Sequence, residues 1–292
     1  MILDFTLKKY RELCSVIADL DYSVITLEEY FTLRKLPEKF IILRHDVDDE
    51  PEYALIMAQL ENMYNIRSTY YFRTVENVFK IGLIEQIHNL GHEIGYHYEV
   101  LDEANGNYPK AINIFNKNVD KFKGLCEIKT IAQHGSPLVG QLSATSISGI
   151  WVIFKNILKG NKVFTNWVNA DIWKEYDFKE FGIVGEAYIS IDFKDVYYIS
   201  DTGMSWNNKY RLKDVVNQTP AGFDKFNIES TNDLIKMIKI YKMNRIYLLV
   251  HPDQWRDNLQ DWIKWSILKH IRNNGKLGLK YFWGLNGSHA IR

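Results

Sequence analysis

Two hydrophobic periods alternate along this chain. One is a run of consecutive apolar residues, as in Phe40-Ile41-Ile42-Leu43, which suits a strand buried in a sheet. The other is apolar residues at helical spacing, as in Leu7, Tyr10, Leu13, Cys14 and Ile17. Runs of the first kind, and β-branched or aromatic stretches like them, predict strands over 39–48, 66–73, 93–99, 128–135, 185–191, 196–201 and 245–251. Helices are predicted over 6–18, 53–64, 76–89, 109–125, 231–242 and 258–273. Thr26 stands three residues before Glu29, a capping box for a further helix opening at 26–31. Pro51 sits near a helix start, where its missing N–H does little harm. From residue 39 onward strand and helix alternate, the signature of a parallel sheet or a β/α barrel.

The middle of the chain, 138–180, is less regular. Within it Ile150-Trp151-Val152-Ile153-Phe154-Lys155-Asn156-Ile157-Leu158 is amphipathic and reads as ordinary packing, with an insertion over a site or a dimer surface as alternatives. No Pro- or Gly-rich linker divides the sequence, and no short repeat appears beyond the strand–helix rhythm. The expected architecture is therefore α/β, a (β/α)6-7 barrel in a single domain. Residues 1–38 form a helical extension, 39–255 the barrel, and 256–292 a final helix and tail.

The chemistry is concentrated where the strands stop. Phe40 to Leu43 runs into Arg44-His45-Asp46-Val47-Asp48-Asp49, just before Pro51. Side chains alternate in a strand, so Ile42, Arg44, Asp46 and Asp48 share one face while Leu43, His45 and Val47 share the other. In Gly91-His92-Glu93-Ile94-Gly95-Tyr96-His97-Tyr98-Glu99, the residues Glu93, Gly95, His97 and Glu99 share a face by the same rule. His134, Asp201 and His251 likewise fall at or near strand C-termini. In β/α barrels that end carries the active site. Carboxylates and imidazoles meeting there suit zinc or another first-row divalent ion.

Composition narrows the function classes. The 292 residues include 46% hydrophobic ones, ample for a large core, and Lys plus Arg equals Asp plus Glu at 36 each. A net charge of zero argues against a general nucleic-acid binder, whose affinity depends on neutralising phosphates. The abundance of aromatics, 8 Trp, 18 Tyr and 15 Phe, fits a large core or a sugar site. Cys14 and Cys126 stand alone in no metal-like spacing and suit a reducing compartment. The N-terminus lacks the charged-then-apolar order of a signal peptide, and no apolar run reaches membrane-spanning length. A cytoplasmic location is expected.

The order His45-Asp46-Val47-Asp48, then Gly91-His92-Glu93-Ile94-Gly95-Tyr96-His97, then Leu248-Leu249-Val250-His251 resembles the polysaccharide deacetylase superfamily. These are carbohydrate esterases on a nodulation-deacetylase-like domain. The resemblance covers about residues 39–255, and it is nearest to a subgroup encoded with surface-polysaccharide and O-antigen genes. It implies a distorted seven-stranded barrel that uses a divalent metal, often zinc, to remove N- or O-acetyl groups from sugars. It further implies Asp46 as general base, Asp48 and His97 as metal ligands, and His251 as the group that protonates the leaving atom. Gln133-His134-Gly135-Ser136-Pro137 occupies the place of an Arg-Pro motif that steers the base.

Two positions depart from the family pattern. The second metal histidine should lie four residues after His97, where this chain has Leu101, and the steering arginine is missing from its segment. Glu99 or His134 is then the third ligand, and Arg44, on the face of Asp46, is the candidate for steering. Asp201 either orients His251, binds sugar hydroxyls or simply closes a turn. His92 and Glu93 read as structural, as does His45. The expected metal is zinc, with manganese, cobalt or magnesium as alternatives. The expected substrate is a carbohydrate, nucleotide-sugar or lipid-linked glycan. The competing functions are a non-catalytic barrel that binds carbohydrate and a hydrolase of a non-sugar C–N bond.

Overall fold

The computed structural model describes residues 3–135, 165, 167–207, 210, 216, 219–223, 226–240 and 243–283. The amphipathic stretch 150–158, together with Ser136 and Pro137, lies outside the described residues.

Among the described residues, eight parallel strands make one sheet, curved into a half-barrel with helices on its outer face. They are β1 (Ser23–Ile25), β2 (Phe40–Val47), β3 (Thr69–Phe72), β4 (Glu93–Tyr98), β5 (Thr130–Gln133), β6 (Gly185–Glu186), β7 (Tyr197–Ser200) and β8 (Arg245–Val250). The helices are α1 (Leu7–Asp19), α2 (Leu27–Thr32), α3 (Pro51–Met63), α4 (Ile81–Asn89), α5 (Val100–Glu103), α6 (Tyr108–Asp120), α7 (Thr231–Ile240) and α8 (Leu259–Trp283). The strand order is β6-β5-β4-β3-β2-β8-β7, with β1 added beside β2. One edge of β2 pairs with β8 over Phe40 to His45; the other is shared by β1 at Phe40 to Ile42 and β3 at Arg44 to Val47.

Burial follows the alternation read from sequence. Phe40 and Ile42 of β2 join Tyr71, Ala132, Tyr198, Tyr247 and Leu249 in a core inside the curve of the sheet. Ile41 and Leu43 point outward onto α1 and α7, and Val47 onto the layer of α3 to α6. The 1–38 segment is more than a helical extension: β1 extends the sheet, and Tyr10 of α1 lies fully buried in the main outer core. The strand expected over 185–191 is only two residues long. Buried Glu186 accepts N–H bonds from Tyr188 and Ile189, at 2.7 and 2.8 Å, and from Gln133 at 2.9 Å, so its own carboxylate bends the chain into a turn.

Two glutamates anchor the body of the barrel. Glu93 of β4 accepts from Thr69, Thr130 and the backbone N–H of Glu28, tying three strands to the start of α2. On the outer face Glu61 of α3 is wholly buried and bonded to Tyr10, His45, Ser68 and Tyr70. His92 donates to Ala58 O and accepts from Ser68 N–H, which fills both ring nitrogens with structural bonds. Gly95 has no freedom to change, because a Cβ there would meet the Tyr71 ring at 2.2 Å.

Candidate active site

The C-terminal ends of the strands surround a pocket lined by Asp46, Asp48, Gln133, His97, His134 and His251, with Tyr188, Thr202, Gly203 and Gln254 beside them. β2, β4, β5 and β8 therefore each deliver ionisable groups from different parts of the chain to one space.

Arg44 lies immediately beneath. It is fully buried, and its Nε and Nη2 donate to the two oxygens of Asp46, both at 2.7 Å. Two residues apart on one strand face, the pair needs no other element to bring it together. Tyr247 OH accepts from Nη1 at 3.0 Å, and the guanidinium packs against the rings of Tyr71 and Tyr188 at 5.1 and 4.4 Å. This cage satisfies a charge that would otherwise be costly to bury. Burial pushes the Asp46 carboxyl up, but Arg44 and the nearby histidines outweigh it and hold the group ionised.

Asp48 stands just beyond the end of β2. Its Oδ1 is buried and accepts no hydrogen bond, although the carboxyl is held well below its usual range by His134 and His97 against the effect of burial. That orphaned oxygen lies 3.3 Å from His97 Nε2 and 3.8 Å from His134 Nε2. His97 Nδ1 is committed to Ala132 O at 3.0 Å, which leaves Nε2 as the free face of the ring. His134 Nδ1 is 3.0 Å from Glu99 Oε2. Arg73 grips Glu99 through Nε and Nη2 at 2.7 to 3.1 Å and donates from Nη1 to Asp48 O at 3.0 Å. Glu99 thus stands behind His134, on the side away from Asp48. Burial works against its charge, yet His134 and Arg73 lower the carboxyl to about 2.

Among the described residues no three His, Cys, Asp or Glu side chains form a closed metal cage. The nearest arrangement to one is Asp48 Oδ1, His97 Nε2 and His134 Nε2. Donors about 2.0–2.2 Å from a tetrahedral zinc sit roughly 3.3–3.5 Å from one another. The 3.3 Å separation already matches that spacing, and the 3.8 Å one is wider by a few tenths. An unpartnered buried carboxylate oxygen facing two imidazole nitrogens, with the His97 ring hydrogen-bonded to Ala132 O and the His134 ring beside the Glu99 carboxylate, fits a divalent metal. Position 101 offers nothing to it. Leu101 is fully buried in α5, packed in the outer core, and its N–H donates to Asn169 Oδ1.

Across the pocket, His251 follows β8. Its Nδ1 lies 2.6 Å from Asp201 Oδ1, while Asp201 also accepts from the His251 N–H and from Trp255 Nε1 at 2.8 Å. Burial disfavours the imidazolium, but Asp201, helped by Asp48 and Asp46, raises the group to about 9. The Asp201 carboxylate thus favours the protonated form of His251, whose side chain lines the pocket.

Several residues at this site were not anticipated. Arg73 ends its strand as Asp46 and His97 end theirs, so the strand-end rule could have found it. Tyr188, Gln254 and the α8 residues Lys269, Arg272 and Asn273 carry no local signal, because only the path of the chain brings them to the pocket.

No family model matches this chain, and no curated protein matches it. Among solved structures it is similar to a CE4 family pseudoenzyme from Bacillus anthracis, with 12% identity over 88% of this chain and 66% of that one, at a TM-score of 0.41. A mutant of that protein with restored enzymatic activity matches at 12% identity over 88% and 68% of the two chains, with a TM-score of 0.42. PdaA of Bacillus subtilis, a family 4 carbohydrate esterase, matches at 18% identity over 89% and 84%, with a TM-score of 0.40. The chain spans about two thirds of the length of the pseudoenzyme it matches. At these identities and TM-scores, nothing about activity transfers from them to this chain.

Proposed function

We propose that this protein is a metal-dependent deacylase that removes an acyl group, N-acetyl first, from a sugar or glycan intermediate. The observation that carries this reading is the buried, unpartnered Asp48 Oδ1 between His97 and His134, set between an Arg44-braced aspartate and an Asp201-braced histidine. Asp48, His97 and His134 would hold the metal. A divalent ion in that place supplies Lewis acidity and makes water a stronger acid.

The protein's own groups divide the proton work. Asp46 is ionised, and each of its oxygens keeps a lone pair beyond the one facing Arg44. It accepts the proton of the water that attacks the acyl carbon. Arg44 fixes the direction of that carboxylate and acts only by positioning it. His251, protonated and oriented by Asp201, gives a proton to the amine or alcohol that leaves. Base and acid thus differ in charge because one faces an arginine and the other a carboxylate. The likeness of Arg44-His45-Asp46-Val47-Asp48-Asp49 and His97-Tyr98-Glu99 to a surface-polysaccharide subgroup further supports a role in surface-polysaccharide assembly.

Elemental analysis of protein purified without chelator, paired with an assay for acetate released from N-acetylated sugars, tests the proposal. Stoichiometric divalent metal and chelator-sensitive release are expected. Metal with no release from any sugar would favour the non-catalytic barrel, and release only from non-sugar amides would favour the other hydrolase.

A further inference from the structure

The pocket has a second wall, which the deacylation chemistry leaves unused. α8 lines it with Lys269, Arg272 and Asn273, while Asp46, Asp48 and His251 line it from the strand ends. Lys269 and Arg272 are three residues apart and share a side of the helix. Both cations sit around the ring of Trp265, with Lys269 Nζ at 5.3 Å and the Arg272 guanidinium carbon at 5.4 Å from its centroid. Lys269 also pairs with buried Asp253 at 3.4 Å. Beside them Asn273 is only 6% exposed; its Nδ2 donates to Gly203 O at 2.8 Å, and its Oδ1 is buried without a hydrogen-bond partner. Gly203 makes room for that amide, since a Cβ there would lie 2.7 Å from Asn273 Oδ1.

We infer that this α8 wall is a subsite for an anionic substituent, phosphate or carboxylate, so that the substrate is an acylated sugar carrying negative charge. The substrate class rests on the deacylase reading above; the anion subsite does not. Lys269 and Arg272 both line the pocket, and a neutral sugar offers them only uncharged acceptors. A carboxylate or phosphate there would add charge-assisted hydrogen bonds.

Placement adds a second argument. An anionic group beside Asp46 and Asp48 would be repelled by two carboxylates. On α8 it meets Lys269, shared with Asp253, and Arg272 instead, and the neutral acyl group is left to face the strand ends. The subsite would therefore select orientation as well as substrate.

Binding of deacylated sugars, which are not consumed, separates the anion question from turnover. Glucosamine, glucosamine 1-phosphate and the corresponding amino uronic acid would be titrated calorimetrically into the metal-loaded protein. One or both anionic sugars should bind on the order of ten- to a hundredfold tighter than glucosamine, with the advantage shrinking at high salt. A preference for the phosphate identifies a glycosyl phosphate as the source of the anion, and a preference for the carboxylate identifies a uronic acid. Lys269→Met and Arg272→Met should each reduce the ratio, and the double variant should bring it to about one, with folding checked by its melting curve. Equal binding of charged and neutral sugars, or a preference that survives in the folded double variant, overturns the inference. Acetate release from the N-acetylated forms is scored separately. Release without charge preference sinks only the subsite, and charge preference without release sinks only the deacylase reading.

Discussion

At the scale of single residues, Glu99 and His134 show how two candidates for one task receive different tasks. Glu99 is held by Arg73 and touches the Nδ1 of His134, whereas His134 turns Nε2 toward Asp48. His134→Ala should therefore empty the metal site. Glu99→Gln should weaken the metal only about ten- to a hundredfold, as loss of a supporting partner does. Titration of apo-protein with a zinc-competing dye checks both, and a harmless His134→Ala would return the third ligand to Glu99 or to another group. Asp46 carries a second prediction. Asp46→Asn should keep the metal but lower turnover by roughly two to four powers of ten. The same change leaves Arg44 buried without its anion, so a stability loss of about 3–5 kcal/mol is expected in denaturant unfolding. Parental turnover in a folded Asp46→Asn protein would remove Asp46 from the role of base.

At the scale of elements, α5 decides what position 101 can do. β4 ends at Tyr98, Glu99 adopts φ −134° and ψ 32°, and the chain turns directly into α5. Strand alternation lapses at that point, which is why Glu99 does not share the outlook of His97. Leu101 then enters the outer core with Phe115 and Ile172. A histidine placed there should not supply a ligand. Leu101→His is expected to cost on the order of 1–3 kcal/mol, as burying an unsatisfied polar group does, and to leave zinc affinity unchanged. Tighter zinc binding in that variant would mean that α5 can open toward the pocket.

At the scale of the whole molecule, stability depends on buried carboxylates that join elements far apart in sequence. Glu61 of α3 links α1 through Tyr10, β2 through His45 and β3 through Tyr70, with Ser68 preceding β3. Burial raises its carboxyl, but His45, His92 and Ser68 prevail and lower it from 4.5 to about 2. A carboxyl depressed in the folded state contributes stability above its unfolded value and loses it as pH falls toward the folded one. The Glu61 contribution should thus be complete above about pH 4.5 and disappear between there and pH 2. Urea unfolding from pH 6 to pH 2.5 checks this. Glu61→Gln should be less stable at pH 6 and show a shallower acid limb, whereas parallel curves for both proteins would assign the acid loss elsewhere. A described helix long and apolar enough to cross a membrane is absent.

Much of this architecture was written locally. Period-two alternation along β2 decided that Arg44 and Asp46 share the inner face and that His45 lies outside, because neighbouring strand residues must point to opposite sides. Apolar runs and helical spacing decided the β/α order, and strand endings marked where ionisable groups would collect. Other features were settled only when the chain closed on itself. The shortness of β6 came from the Glu186 carboxylate folding back on its own backbone, a bond no propensity encodes. Which side of His134 receives Glu99 depended on the break in strand geometry after Tyr98 and on Arg73 arriving from β3. The pairing of His251 with Asp201 joins residues 50 positions apart. The α8 wall depends on a helix beyond the barrel returning across the pocket, so the neighbours of Lys269, Arg272 and Asn273 exist only in three dimensions.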